Sequence, residues 1–194
     1  MPEPQCCRGV RLRRKFHGLI VNANPGAPAR DYFSLFNIEP GMSLDEAALE
    51  RAYHMLLSQF HPDRYAGKSA VEQRVAAQFC ADVNSGYRTL LNEVTRAEYV
   101  LKSAGVDLEA AEREGVGADF LMTQIMLRER LEDIPVGETA ERGALAEEIT
   151  GHYRASRDRC ARAIAESDWS EAARAWQEMC FLSKLLDAAR PVEH

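Results

Sequence analysis

The sequence predicts an all-α protein: an N-terminal helical hairpin followed by a C-terminal three-helix bundle. Three observations carry this. Helix-favouring residues (Ala, Leu, Glu, Arg) are abundant, and apolar side chains recur three and four positions apart over most of residues 31–189. No run alternates Val, Ile, Thr and aromatic residues in the manner of a strand. Proline and glycine interrupt the periodic stretches at Glu39-Pro40-Gly41, Pro62, Gly115-Val116-Gly117 and Pro135-Val136-Gly137, leaving segments of helical length between them. At 194 residues, 46% of them hydrophobic, the chain is long enough for two small domains with cores of their own.

The formal net charge is −6, but residues 1–30 carry +5, so the rest of the chain carries −11. An acidic body is a poor match to a phosphate backbone, which argues against nucleic acid as a partner. Residues 1–30 combine Pro2, Pro4, Pro25 and Pro28 with the basic run Arg11-Leu12-Arg13-Arg14-Lys15 and show no sustained helical period. They read as a disordered basic tail. Their Arg enrichment is similar to that of an organelle-targeting presequence, but the prolines and the few hydroxyl residues argue against one. The five cysteines (Cys6, Cys7, Cys80, Cys160, Cys180) are odd in number and lack CxxC spacing, which suggests a reducing compartment. No apolar stretch approaches the roughly 18–20 residues needed to span a bilayer, so no membrane partner is expected. The expected setting is the cytoplasm in preference to the mitochondrial matrix.

Order is expected from Asp31, where Asp-Tyr-Phe-Ser-Leu-Phe gives a short apolar helix ending before Glu39-Pro40-Gly41. Ser43-Leu44-Asp45-Glu46 fits a capping box, with the Ser43 hydroxyl accepting from the Glu46 N–H and the Glu46 carboxylate reaching back. In the helix that follows, Leu49, Tyr53, Leu56 and Phe60 form one stripe, and Glu50, Arg51, His54 and Ser58 stay outside. Pro62 ends this helix. After a polar loop, Val75, Phe79, Val83, Tyr87 and Leu90 mark a second long helix, antiparallel to the first. Arg96 to Lys102 adds a short fourth helix, which completes a first domain over residues 31–102. Residues 103–117, polar and bracketed by glycines, read as a linker. Three helices at about 118–134, 139–166 and 169–189 then make the bundle of residues 118–190, with Ser167-Asp168 capping the last.

His61-Pro62-Asp63 stands where the first long helix must stop, since proline removes an N–H and restricts its predecessor. An imidazole and a carboxylate held at the head of a rigid hairpin suit recognition of a partner. A plain helix stop explains the tripeptide alone equally well. A catalytic dyad is disfavoured, because Asp63 is tethered too close to orient His61 and no nucleophile motif is present. Metal ligation is disfavoured too, because no cluster supplies the remaining ligands, and His152, Cys160 and Cys180 lack the close pairing of a zinc site. No cofactor is called for.

The order of these parts resembles a J domain: Asp31-Tyr32-Phe33-Ser34-Leu35-Phe36, an amphipathic helix, Gln59-Phe60-His61-Pro62-Asp63-Arg64-Tyr65, a second long helix with Asn84-Ser85-Gly86-Tyr87, then Arg96-Ala97-Glu98-Tyr99. Phe120-Leu121-Met122-Thr123-Gln124-Ile125, Arg128-Glu129 and Phe181-Leu182-Ser183-Lys184-Leu185 extend the resemblance to the HscB family, over about residues 31–188. The resemblance implies a non-enzymatic co-chaperone. Such a protein binds the DnaK-type chaperone HscA and stimulates its ATPase, and it delivers the iron-sulfur scaffold protein IscU so that clusters can be transferred to proteins under maturation. It implies that His61, Pro62 and Asp63 act on the chaperone, helped by Arg51 and Arg64. The outer face of the preceding helix, usually basic in J domains, has only Arg51 as a firm cation here, with His54 beside it and Ser58 where a cation would be expected. Lys68 and Arg74 are further cations that can share the steering.

In the second domain Phe120, Leu127, Leu131 and Ile134 fall within about 40° of one another on a helical wheel and form the core stripe. Leu121, Met122, Ile125 and Met126 lie at about 100° to 240°, on the far side. Two apolar faces mean either a sandwiched helix or a patch for a partner, and pattern alone favours the sandwich. The resemblance favours the patch, implying that Leu121, Met122, Ile125, Met126 and Glu129, with Phe181 from the last helix, hold the scaffold. At Met126 the family pattern leads one to expect an acid. Trp169, Ala173, Trp176 and Cys180 read as core. The other reading consistent with these features is a general J-domain co-chaperone whose second domain serves another client or dimerisation.

Overall fold

A computed structural model describes residues 31–135 and 137–190; the tail expected over residues 1–30 lies outside them. Among the described residues every regular element is helical. Helix α1 (Tyr32–Phe36) is started by Asp31, whose carboxylate accepts from the N–H groups of Phe33 and Ser34. Helix α2 spans Glu46–Phe60. Its cap corrects the expected one. Asp45, not Ser43, accepts from the Ala48 N–H at 3.0 Å, and Ser43 lies two residues ahead of that cap, outside the first turn. A reciprocal capping box does occur, at Ser69 and Glu72, and it opens α3 (Ala70–Leu91).

The α2–α3 hairpin closes over an aromatic-rich core. Leu49, Leu56, Phe79, Val83 and Leu90 are buried, Tyr53 stacks on Tyr87 with ring centroids 4.1 Å apart, and Phe60 lies 4.3 Å from Phe79. The Tyr53 hydroxyl also donates to Asn84 Oδ1 at 2.8 Å. α1 lies against α3 at Gly86, where an added Cβ would sit 2.9 Å from the Tyr32 ring and 3.0 Å from Phe36. Helix α4 (Glu93–Ser103) returns over this layer, with Tyr99 stacked on Tyr32 and its hydroxyl donating to Asp31.

Residues 103–117, expected to be a linker, contain a further helix, α5 (Leu108–Glu114), capped by Asp107. Leu108 is buried among residues of α4 and α8, which gives the segment a packed anchor. The bundle follows as α6 (Ala118–Asp133), α7 (Thr139–Glu166) and α8 (Trp169–Ala189), close to the expected limits. Ser167 takes a left-handed conformation and Asp168 caps α8 through the Glu171 N–H at 3.1 Å. Leu127, Leu131, Leu145, Ile149 and Leu182 form the bundle core.

A third apolar cluster joins the two domains. Ala97 and Leu101 of α4 and Leu108 of α5 pack on Cys160 and Ala163 of α7 and on Ala172, Ala173, Ala175, Trp176 and Met179 of α8. The Trp176 indole donates across this joint to the Val94 carbonyl at 3.2 Å. The hairpin and the bundle therefore share a core. No helix among the described residues is long and apolar enough to cross a membrane.

Candidate partner-binding surfaces

The first surface is the hairpin tip. α2 ends at His61, whose extended backbone (φ −56, ψ 132) is the conformation a following proline favours. Pro62 begins a single 3-10 turn, Pro62–Tyr65. His61 Nδ1 accepts from the Asp63 N–H at 3.3 Å and lies 3.4 Å from Asp63 Oδ2. The ring is thus held through Nδ1, which leaves Nε2 as its other hydrogen-bonding atom. Both side chains are exposed, Asp63 at 90%. Arg64 folds back to donate to the Ser58 carbonyl at 2.8 Å, on the last turn of α2. Arg51 sits two turns earlier, exposed and 3.9 Å from Asp45. His54 is similarly placed 3.8 Å from Glu50. Of the groups expected here, His61, Asp63 and Arg64 are brought together, while Arg51 stands apart with an acid beside it.

The second surface lies on α6. Leu127 and Leu131 are buried and Phe120 and Ile134 partly so, as the core stripe requires. The opposite side is uncovered: Leu121, Met122, Ile125, Met126 and Phe181 are between 42 and 61% exposed. Among the described residues nothing sandwiches the helix. Eight large apolar side chains are exposed among the described residues; five gather here and the other three, Met55, Val71 and Leu91, lie in the first domain. Phe181 reaches the patch from α8 above Phe120, with ring centroids 6.4 Å apart. Glu129 is exposed on the same side of α6, and Arg128 pairs with Glu132 at 3.0 Å. Two flexible thioethers, two aliphatic groups and one ring can adapt to an uneven apolar surface.

The sequence of this chain is 39% identical over 166 residues to the co-chaperone protein HscB homologue of Bordetella avium, a match covering 85% of this chain and 98% of that protein. The chain belongs to the HscB family of co-chaperones. A homologue from Neisseria meningitidis is 37% identical over 155 residues, covering 79% of this chain and 93% of that one. The family description "HSCB C-terminal oligomerisation domain" matches residues 116–190. Among solved structures, the chaperone HscB from Vibrio cholerae superposes with a TM-score of 0.73 at 30% identity, covering 82% of this chain and 94% of that one. The human co-chaperone protein HscB shares the fold, with a TM-score of 0.78 at 24% identity, over 84% and 82% of the two chains.

In this HscB-family chain two features of the surfaces escaped the sequence reading. Met55 is 50% exposed on the outer side of α2, between Arg51 and Ser58; the wheel that assigns Leu49, Tyr53, Leu56 and Phe60 to the core already leaves Met55 outside. The bond from Arg64 to Ser58 had no signal beyond a cation near a helix end. The described cysteines behave as core groups. Burial raises the Cys80 thiol and pushes Cys160 up to about 12 and Cys180 up to about 11, so all three stay protonated at neutral pH.

Proposed function

We propose that this HscB-family chain is a two-site adaptor of iron-sulfur cluster assembly. Its α6 face holds the scaffold protein IscU, and its tip, through His61, Pro62 and Asp63 with Arg51 and Arg64, docks on the ATPase domain of the DnaK-type chaperone HscA. Docking stimulates ATP hydrolysis by the chaperone; the adaptor turns over nothing itself. Carrying both sites on one chain raises the concentration of client near the chaperone without any new contact. The observation that carries the reading is the apolar patch of Leu121, Met122, Ile125, Met126 and Phe181, which the other described residues leave uncovered.

The test measures chaperone ATPase with this protein, with the scaffold, and with both. Stimulation by the protein alone and a greater-than-additive rise with both are expected. A chaperone that hydrolyses ATP at its basal rate in every mixture would end the reading. A second reading, self-association through the same face, is favoured by the exposure of the patch and by the description of the matching family domain. Sedimentation decides between them: a dimer that competes with scaffold binding supports self-association, and a monomer at micromolar concentration supports the adaptor.

A further inference from the structure

The first turn of α4 carries a polar network that spans the joint between the domains. Glu93 opens the helix, and its carboxylate reaches α7, where Oε2 accepts from the Tyr153 hydroxyl at 3.1 Å and Oε1 accepts from the Arg157 guanidinium at 3.4 Å. The next residue, Val94, accepts from the Trp176 indole of α8. One turn further on, Arg96 is only 3% exposed; its guanidinium donates to the Leu90 carbonyl and has Glu93 and Glu46 as its acidic neighbours. Tyr153 packs against both the joint cluster and the bundle core, so the group that holds Glu93 is itself held from two sides.

The apolar part of the joint mixes small and large side chains. Ala97 shares one cluster with Ala163, Ala172, Ala173 and Ala175 and also with Leu101, Leu108, Trp176 and Met179. Burial of apolar area is itself non-directional, and direction at the joint comes from its hydrogen bonds, those of Glu93 and the one from the Trp176 indole to Val94. Hydrogen bonds to a partly buried carboxylate weaken steeply with angle and are stronger for being charge-assisted. The Glu93 carboxylate also compensates the buried cation of Arg96, which would otherwise be left poorly balanced.

We propose that Glu93 is a positioning residue: by holding α4 to α7 through Tyr153 and Arg157, it sets the angle between the hairpin that ends in His61-Pro62-Asp63 and the bundle that carries the α6 face. What the angle serves rests on the two-site reading above; that the joint is fixed does not. Swivelling at the joint would change the span between the two surfaces while leaving each surface intact.

Residual dipolar couplings of backbone amides in the full chain test this directly. In the wild-type protein one alignment tensor is expected to fit residues 31–103 and 118–190 together. In Glu93→Ala the two sets are expected to need separate tensors, differing in magnitude by at least twofold. The double variant Tyr153→Phe, Arg157→Gln removes the same contacts from α7 and keeps the test open if Glu93→Ala does not fold. A single tensor in the folded variants would overturn the proposal. Chaperone ATPase supplies the functional arm: Glu93→Ala is expected to stimulate alone as the wild type does, but to lose the extra stimulation brought by the scaffold. If the wild type itself gives no stimulation, the two-site reading fails while the tensors still decide the role of Glu93.

Discussion

At the hairpin tip the exposed groups are an imidazole, a carboxylate and a guanidinium, whereas on α6 they are five apolar side chains. The tip depends on direction. His61 is pinned by one nitrogen and Arg64 is tied to the end of α2, so few groups are needed and each is placed. The α6 face depends on area. In the proposed adaptor, the combined burial of these side chains against the scaffold, not any one bond, would supply the affinity. Two kinds of recognition on one chain can therefore be weakened separately, and this separability is what the proposed adaptor requires.

The largest expected effect is at the tip. Asp63→Asn or His61→Gln should return chaperone ATPase to its basal rate while scaffold binding, measured by calorimetry, stays as in the wild type. Either variant stimulating normally would break the contrast between tip and face. Next, the combined Leu121→Ala, Met122→Ala, Phe181→Ala variant should weaken scaffold binding by about 100-fold, from roughly 1 kcal/mol for each truncated side chain, and leave stimulation by the protein alone unchanged.

Stability separates buried from exposed leucine in the same manner. Leu101→Ala removes a fully buried side chain from the joint and should cost about 3 kcal/mol in denaturant unfolding. Leu121→Ala, on the exposed face, should cost less than about 0.5 kcal/mol; equal costs would mean that the face is part of the core after all. The smallest effect is ionic. Raising salt from about 0.05 to about 0.3 M should weaken association at the tip a few-fold and leave retention of the scaffold nearly unaltered, because salt screens charges and not apolar burial.

Periodicity made much of this legible. The stripe Phe120, Leu127, Leu131 located α6, the spacing of Trp169, Ala173 and Trp176 located α8, and Pro62 located the tip. The same wheel showed a second face on α6, yet pattern alone favoured burying it, since whether a neighbour covers a helix is a tertiary fact. Ser-x-x-Glu is a local pattern that points to Ser43 as the cap, but the helix begins two residues later than the pattern implies, at Glu46 behind Asp45. α5 resembles a linker in sequence because its apolar content is one leucine and two alanines; Asp107 ahead of Leu108 is the available clue. The bond between Glu93 and Tyr153 joins residues 60 positions apart and left no trace in either neighbourhood.

Gly86 has a consequence for how the first domain tolerates change. The slot that receives Tyr32 and Phe36 exists only because this position of α3 bears a lone hydrogen. Adding one methyl group there would prise the opening aromatic helix away from its seat, and with it the stacking of Tyr32 on Tyr99 that ties α1 to α4. The long hairpin could survive such a lesion with its tip in place, but on a domain missing one wall.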